Sequence, residues 1–275
     1  MAMVAFAANS ILCRLALRDT GIDPFGFTAI RLGSGALMLV LLMQIRAIRQ
    51  RQKLSPLSAG SWAAAFCLFA YAFAFSFAYV DLNAATGPIL AFGAVQATMI
   101  LAGIRSGERP PAREWLGFAL AIGGVTYLVF PGVAAPAPGP AICMATAGLA
   151  WGFYSLLGQR GDDPALATTG NFVRTVPMVL LLQPLFFAEL RLPATGVMLA
   201  VCSGALTSAL GYVIWYAVLG HLTATRAALV QCTAPVIAAV GAVVFLSEII
   251  TPRLVLAGVS VVGGVALATA GRKSN

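Results

Sequence analysis

Charged side chains are scarce in this sequence. They make up 9% of its 275 residues, while hydrophobic residues make up 60%. An average soluble domain is roughly half apolar and a quarter charged, and one soluble domain could not bury this much apolar surface. The chain is also too apolar to be disordered. The composition therefore excludes an ordinary cytosolic enzyme and a disordered protein, and it indicates a polytopic membrane protein.

Residues that build metal, redox and catalytic sites are equally few. His221 is the one histidine, and the five cysteines lie within apolar runs without forming a CxxC pair. The sequence therefore predicts no zinc site, no disulfide framework and no cofactor. It also holds no reactive cluster of acids, histidines or a metal motif of the kind that a membrane-embedded enzyme needs, so we do not expect an enzyme.

Long apolar runs occupy most of the chain. About 20 apolar residues make a helix that crosses the hydrocarbon core, and these runs are too long and continuous for the strands of a closed barrel. The first run is not followed by a cleavage site, so we expect a membrane helix behind a trimmed N-terminus instead of a signal peptide. We predict an all-α integral membrane protein with ten transmembrane helices. The predicted spans are 3–18, 25–45, 58–79, 84–104, 113–130, 140–158, 165–188, 194–219, 224–246 and 253–271.

Basic side chains distinguish the two sides of the membrane. Eleven of the 17 lysines and arginines lie in loops on one side, and three lie on the other. Because positively charged loops stay in the cytoplasm, we predict a multi-pass protein of a bacterial-type inner membrane with both termini cytoplasmic. The net charge of +8 comes from these loops and not from a basic stripe with interleaved aromatics, so nucleic acid is not an expected partner.

The two halves of the sequence match each other at a constant shift of 140 residues. We predict an N-terminal five-helix repeat at 1–131, an outer linker at 132–139 and a C-terminal five-helix repeat at 140–275. An odd number of spans inverts the second repeat, which predicts a substrate cavity near the bilayer midplane between the two. The paired landmarks are Asp23-Pro24 with Asp163-Pro164, Thr28 with Thr168, Glu108 with Glu248, and Gly123-Gly124 with Gly263-Gly264.

Several motifs resemble those of one transporter family. Residues 105–125 hold a Gly-Glu at a helix end and then a Gly-rich helix that closes in Gly-Val. Residues 245–265 are the second copy, with Ser247-Glu248 in place of the Gly-Glu and the same Gly-Gly-Val at the end. The run 227–236 and Arg31, early in the second span, also fit. Together they resemble the drug/metabolite transporter superfamily in its ten-helix EamA family, and they are most similar to bacterial exporters of aromatic amino acids. The resemblance implies an exporter of small metabolites that exposes a central cavity to each side in turn.

Aromatic side chains predict the wall of this cavity. Tyr71, Phe75 and Tyr79 repeat every four residues and so share one helix face. A wall of this kind stacks on an apolar or aromatic substrate, whereas the alternative is packing against lipid or an interfacial belt. The aromatic residues that we predict to bind substrate are Tyr71, Phe75, Tyr79, Trp151, Tyr154, Tyr212 and Trp215.

Polar groups within the spans are further candidates, since each needs a partner at membrane depth. Asn9 and Gln231 would line the cavity if the first and ninth spans face it, as the resemblance implies. The alternative for each is a hydrogen bond between helices. The polar residues predicted to bind substrate are Asn9, Gln96, Ser208 and Gln231, and the prolines predicted to act as hinges or kinks are Pro88, Pro177 and Pro235.

Two arginines within the spans are predicted to meet a substrate carboxylate. Arg174 lies nine residues into the seventh span, close to 14 Å deep at about 1.5 Å per residue, and Arg31 lies about one third of the way in from the outside. A charge at such depth faces a cavity or a partner. The alternative is a structural contact with helix-end carbonyls or with a carboxylate.

The nine acidic residues all fall in loops or at span ends. Ion-driven carriers often need a carboxylate within the membrane, so we predict facilitated diffusion without obligatory ion coupling. Our prediction is an exporter of amino acids, aromatic and other apolar ones among them, whose partners are the small-molecule substrate and the lipid bilayer and for which a monomer suffices. The alternatives are an exporter of drugs or other metabolites, with or without proton coupling, and a structural membrane subunit.

Overall fold

Helices account for the regular structure of the described chain. The computed structural model describes residues 1–51, 55–105, 111–130, 135–158, 163–219 and 233–269, and these residues form helices without a β-strand. The five helices of the first half are α1 (Ala2–Asp19), α2 (Pro24–Gln50), α3 (Trp62–Ala78), α4 (Thr86–Arg105) and α5 (Ala112–Val129).

Five further helices lie in the described part of the second half. Its helices are α6 (Pro138–Gly158), α7 (Pro164–Phe186), α8, α9 (Thr233–Leu246) and α10 (Pro252–Thr269). Helix α8 is continuous over three stretches, which are Ala194–Val201, a π-helical segment Cys202–Leu210, and Gly211–Leu219. One helix therefore lies within or across each of the ten predicted spans.

Length and composition support a chain that crosses a membrane many times. Four described helices are long and apolar enough to do so, namely Pro24–Gln50, Pro138–Gly158, Pro164–Glu189 and Ala194–Trp215. Large apolar side chains also face outward, as shown by Leu181 at 78% exposed and Val244 at 65%. A soluble protein rarely exposes a large apolar surface, so these side chains fit contact with lipid.

The same Asp-Pro pair begins one helix in each half. The Asp23 carboxylate accepts a hydrogen bond from the Gly26 backbone N–H at 2.6 Å and precedes Pro24 in α2. Asp163 does the same for the Leu166 N–H at 3.0 Å and precedes Pro164 in α7. Backbone N–H groups in the first turn of a helix have no acceptor within the helix. The aspartate carboxylate accepts a hydrogen bond from one of them, and proline at the first position has no N–H that needs an acceptor.

The predicted hinge prolines differ in their positions. We predicted that Pro88 interrupts a helix. It lies instead in the first turn of α4, which begins at Thr86, and so it does not interrupt the helix. A first-turn N–H has no helical acceptor in any case. Pro177 lies inside α7 and removes a backbone hydrogen bond there. Pro235 is buried near the first described residues of α9, and residues 220–232 lie outside the described part of the chain.

The helices pack mainly across the two halves. Helices α3 and α4 pack against α6, and α8 and α9 pack against α1. Helix α2 packs against α7 and α8, and α5 packs against α10. In the last pair, a Cβ atom at Gly117 would collide with the Gly264 carbonyl, and one at Gly264 would collide with the Gly117 carbonyl. Such close approach of two backbones is typical of membrane helices that meet at small residues.

Candidate functional site

A cavity lies where the two halves meet. Helices α1, α2, α3 and α4 line it from the first half, and α6, α8 and α9 line it from the second. The space open to the centres of water molecules is about 80 Å³. Since one water needs roughly 10–15 Å³ of such space, the cavity has room for several waters.

Aromatic rings form a continuous wall of this cavity. Trp151 stacks on Tyr212, with ring centroids 5.2 Å apart and planes at 29°. Phe6 meets both rings edge-on at 6.3 and 5.8 Å. Tyr71 lies 5.0 Å from Trp151 and 5.2 Å from Phe75. Stacked and edge-to-face pairs at these separations are favourable, so the wall is preformed and suits an apolar or aromatic group.

Arg31 places a positive charge beside this wall. Its side chain is almost fully buried, at 2% exposed. Its Nε donates to the Ser208 hydroxyl at 3.3 Å, and its Nη2 donates to the Tyr71 hydroxyl at 3.2 Å. The guanidinium carbon lies 5.3 Å and 5.2 Å from the ring centroids of Tyr71 and Phe75. The rings therefore stabilise the cation through its attraction to their faces.

The third nitrogen of this guanidinium is unused. Arg31 Nη1 is buried and has no hydrogen-bond partner among the described residues, and no described carboxylate forms an ion pair with Arg31. Leaving a buried donor unpaired costs about 1–3 kcal/mol, and more for a charged one. Since nearly all buried polar groups are paired, this donor is a candidate contact for an anionic group of a ligand.

Asn9 is held by the π-helical segment of α8. Its Oδ1 accepts hydrogen bonds from the hydroxyls of Ser203 at 2.6 Å and Thr207 at 3.2 Å. The side chain is buried, at 4% exposed, and lines the cavity beside Ser10. Short π-helical segments occur frequently at functional sites, and this one contacts two cavity residues, Asn9 and Arg31.

The structure brings most of the predicted site residues together. The predicted residues that line the cavity are Asn9, Arg31, Tyr71, Phe75, Pro88, Trp151, Ser208 and Tyr212. The sequence reasoning missed Phe6, Ser10, Phe92 and Thr207, which also line it, and Ser203 behind Asn9. A hydroxyl spacing of Ser-x-x-x-Thr-Ser within an apolar span could have indicated the last two.

Five described residues that were predicted to contact substrate do not line the cavity, and three of them are aromatic. Tyr79 lies one turn beyond Phe75, with the rings 4.7 Å apart, and Tyr154 lies 5.5 Å from Trp151 on the same helix. Trp215 packs behind Phe6 at 6.4 Å. These three form a second layer of rings.

Gln96 does not line the cavity either. It lies one turn after the lining residue Phe92 in α4 and directly after Val95, the last residue of this helix that lines the cavity. Gln231 lies outside the described residues.

Arg174 is a correction to the sequence reasoning. Its side chain does not face the cavity. It donates instead to the backbone carbonyls of Ala59 at 2.7 Å and Leu57 at 2.9 Å, in the connection between α2 and α3. Its guanidinium carbon also lies 5.9 Å from the ring centroid of Trp62. The position is therefore a structural contact with loop carbonyls, which leaves Arg31 as the cation among the described residues that line the cavity.

A polar network lies about one turn beyond the cavity-lining residues Ser10, Phe75 and Pro88. The Glu248 carboxylate accepts hydrogen bonds from the backbone N–H groups of Ala84 at 2.9 Å and Ala85 at 3.2 Å. Arg14 lies 3.9 Å from this carboxylate and donates to the carbonyls of residues 79–80 at 3.0 and 2.6 Å. The network joins α1, the turn between α3 and α4, and the connection after α9. It therefore connects α1, α3, α4 and α9, and other residues of these four helices line the cavity.

The comparisons with known proteins identify the family. The sequence matches the EamA-like transporter family over residues 1–130 and 139–270. The chain belongs to the EamA-like transporter family. The predictions of EamA membership, of a multi-pass membrane protein and of a transporter as the protein class are confirmed.

One relative and one solved structure are similar to this EamA protein. It is 49% identical over 272 residues to a protein of Pseudomonas aeruginosa named "Uncharacterized protein PA1977", and the match covers 99% of this chain and 93% of that protein. A solved structure described as "Crystal structure of protein" has a TM-score of 0.68 with 20% identity and covers 98% of this chain and 97% of its own. At that identity the structural match shows a shared fold.

Proposed function

We propose that this EamA protein exports amino acids, aromatic and other apolar ones among them, from the cytoplasm across a bacterial-type inner membrane. The observation that carries the proposal is the buried Arg31, whose Nη1 has no partner among the described residues and whose side chain lines an aromatic cavity. Within a membrane, ionisable residues turned toward a cavity mark substrate pathways.

The chemistry of the cavity fits the parts of an amino acid. A substrate carboxylate pairs with Arg31, because carboxylates form strong hydrogen bonds with guanidinium groups. An aromatic or apolar side chain packs against Trp151 and Tyr212, which stack on each other. The substrate ammonium group is accommodated by hydroxyl or amide oxygens or by a ring face, since no acidic side chain occurs among the described lining residues.

The proposed mechanism is alternating access between two inverted repeats at 1–131 and 140–275, joined by an outer linker at 132–139. Inverted repeats predict that each helix pair has a counterpart in which every helix is replaced by the one five positions away in the chain. The α3–α6 contact then corresponds to α8–α1, and the α4–α6 contact corresponds to α9–α1. All four contacts are observed. The α5–α10 and α2–α7 contacts each join a helix to its own counterpart, so the same replacement leaves them unchanged. The two family-matched segments support the same division. The excess of basic loops on one side supports cytoplasmic termini.

We infer that transport runs down the substrate gradient without obligatory ion coupling. The described lining residues include no carboxylate that could carry a proton or bind sodium. The buried Glu248 lies beyond the cavity and already accepts two backbone hydrogen bonds. A carrier that needs no driving ion moves substrate in whichever direction its gradient points.

The proposal is tested by efflux from proteoliposomes preloaded with labelled tryptophan, phenylalanine or threonine, without an ion gradient. Saturable efflux that depends on the protein is the expected result, with tryptophan and phenylalanine ahead of threonine because of the aromatic wall. Absence of efflux of all three, from protein shown to be folded, would refute amino acid export. Uphill uptake driven by an imposed pH jump would refute the absence of coupling.

A second candidate function is export of apolar drugs or other small metabolites, with or without proton coupling. The aromatic wall favours it, because rings accept many apolar shapes. The buried Arg31 disfavours cationic drugs, since a like charge in a low-dielectric site repels them. Efflux of a neutral or anionic drug combined with no efflux of tryptophan would favour this candidate.

A further inference from the structure

We propose that Asn9 and Arg31 jointly recognise the carboxylate group of the substrate, and that one π-helical face of α8 holds both in place. This inference rests on the proposed function, because it names the chemical group that the same cavity selects. It concerns how the site distinguishes an acid from its amide or its amine.

The π-helical geometry brings three hydroxyls of α8 to one face. In a π-helix each hydrogen bond spans five residues, so residues i, i+4 and i+5 lie on the same side. Ser203, Thr207 and Ser208 have this spacing within Cys202–Leu210. In an α-helix, at about 100° per residue, Ser208 would point about 140° away from Ser203.

This face holds residues of two other helices. Ser203 and Thr207 donate to Asn9 Oδ1 on α1. Ser208 accepts from Arg31 Nε on α2. A Cβ atom at Gly204 would collide with the Arg31 carbonyl, so the absence of a side chain there lets α8 approach α2 closely. The segment therefore fixes the positions of both side chains.

Both side chains retain unused donors. The Asn9 oxygen is occupied by two hydroxyls, which leaves its Nδ2 N–H groups without a partner among the described residues. Arg31 Nη1 likewise has no partner in the described part of the chain. The two side chains line one cavity and are only 4% and 2% exposed.

A carboxylate is the group that satisfies this pair of donors. Its two oxygens offer about four acceptor positions, enough for an amide N–H and a guanidinium N–H together, and its charge matches that of Arg31. An amine offers no such acceptor pair, and a primary amide offers one oxygen and adds donors of its own. The site therefore selects a carboxylate over the corresponding amide or amine.

The test measures counterflow of labelled tryptophan in proteoliposomes, with unlabelled tryptophan, tryptophanamide and tryptamine as competitors. Asn9→Asp keeps acceptors for Ser203 and Thr207 but replaces the N–H donor with a charged oxygen. We expect the preference for tryptophan over tryptophanamide to fall by roughly ten- to hundredfold, the value of one hydrogen bond to a charged group.

Two threonines provide a matched comparison. The hydroxyls of Thr207 and Thr146 both lie within hydrogen-bond distance of the carbonyl four residues earlier, at 2.8 and 2.9 Å. Only Thr207 also reaches Asn9 Oδ1, at 3.2 Å, so its one proton is shared between the two acceptors. Thr207→Val is expected to weaken the preference for tryptophan, because Asn9 loses one of the hydroxyls that orient it. Thr146→Val, on the exposed face of α6, is expected to leave both transport and preference unchanged.

The outcomes separate a recognition role from a structural one. Equal weakening of all three competitors in Asn9→Asp, or an unchanged preference, would overturn the inference, because a purely structural role does not distinguish acid from amide. If Asn9→Asp does not fold, Thr207→Val provides the same test. A weakened preference for tryptophan over tryptophanamide supports the inference, and an unchanged preference overturns it.

Failure of the proposed function can also be distinguished. If the wild-type protein carries no amino acid, thermal stabilisation of the purified protein by indole-3-acetate and by indole-3-acetamide tests the carboxylate preference alone. Stronger stabilisation by the acetate, lost in Asn9→Asp, supports the inference, and equal stabilisation by both compounds refutes it.

Discussion

Glu248→Gln is expected to destabilise the protein by breaking the polar network about one turn beyond the cavity. Glu248 is 9% exposed, and its carboxylate accepts hydrogen bonds from the backbone N–H groups of Ala84 and Ala85. In the variant, an NH₂ group replaces one oxygen and faces a backbone donor. One hydrogen bond to a charged group, worth about 1.5–3 kcal/mol, is lost, and an N–H is left unpaired. We therefore expect the free energy of unfolding to fall by about 2–4 kcal/mol.

The ion pair with Arg14 should contribute the smaller share. The closest approach of Arg14 Nε to the carboxylate is 3.9 Å, longer than either backbone contact, and Arg14 donates to the carbonyls of residues 79–80 instead. A double-mutant cycle of Glu248→Gln with Arg14→Met should therefore give a coupling energy near the low end for contacting residues, about 0.5–1 kcal/mol.

The assay is reversible denaturant unfolding of the purified protein in mixed micelles. Asp19→Asn is the matched control, because it removes a carboxylate that pairs with Arg18 on the same helix in an exposed position, where such pairs are worth about 0–1 kcal/mol. A Glu248→Gln variant within about 0.5 kcal/mol of the wild type, the usual range of surface substitutions, would refute the reasoning. A coupling energy equal to the whole loss of unfolding free energy in Glu248→Gln would refute the assignment of that loss to the backbone contacts of Ala84 and Ala85.

Two further substitutions test the packing of α8 and the role of Arg174. Gly204→Ala should destabilise the protein by about 1–3 kcal/mol and slow tryptophan efflux, since its Cβ would overlap the Arg31 carbonyl and the Ser34 hydroxyl; unfolding and efflux equal to the wild type would contradict the close approach of α8 and α2. Arg174→Gln should leave the KM for tryptophan unchanged while lowering the unfolding midpoint, because it removes donors to the carbonyls of Leu57 and Ala59; a raised KM with an unchanged midpoint would restore Arg174 as a substrate contact.

Much of the architecture could be predicted because it depends on local sequence. The number of spans follows from the lengths of the apolar runs. The starts of α2 and α7 follow from Asp23-Pro24 and Asp163-Pro164, since an N-cap and a first-turn proline act within one turn. Most of the aromatic wall also followed from helical spacing, as for Tyr71 and Phe75.

The remainder depends on contacts between distant segments. Arg31 and Arg174 both lie within apolar runs, and only the packing of α7 against the connection after α2 gives Arg174 its carbonyl partners. Tyr79 continues the spacing of Phe75 but lies beyond the end of the cavity, which spacing alone does not define. The hydroxyls of Ser203 and Thr207 meet Asn9 only because α8 contains a π-helical segment, and simple helical periodicity assumes regular α-helix.

Binding of labelled tryptophan to the purified protein, with and without Arg31→Gln, tests the central claim most directly. In this variant the tryptophan carboxylate loses its charge-assisted hydrogen bond to the Arg31 guanidinium. We therefore expect the Kd for tryptophan to rise at least about tenfold. Tryptamine, which has no carboxylate and carries a positive charge, should bind Arg31→Gln at least as tightly as the wild type, because a repelling like charge is removed. An unchanged Kd for tryptophan in folded Arg31→Gln would contradict the account, because the cavity would then recognise its substrate without this cation.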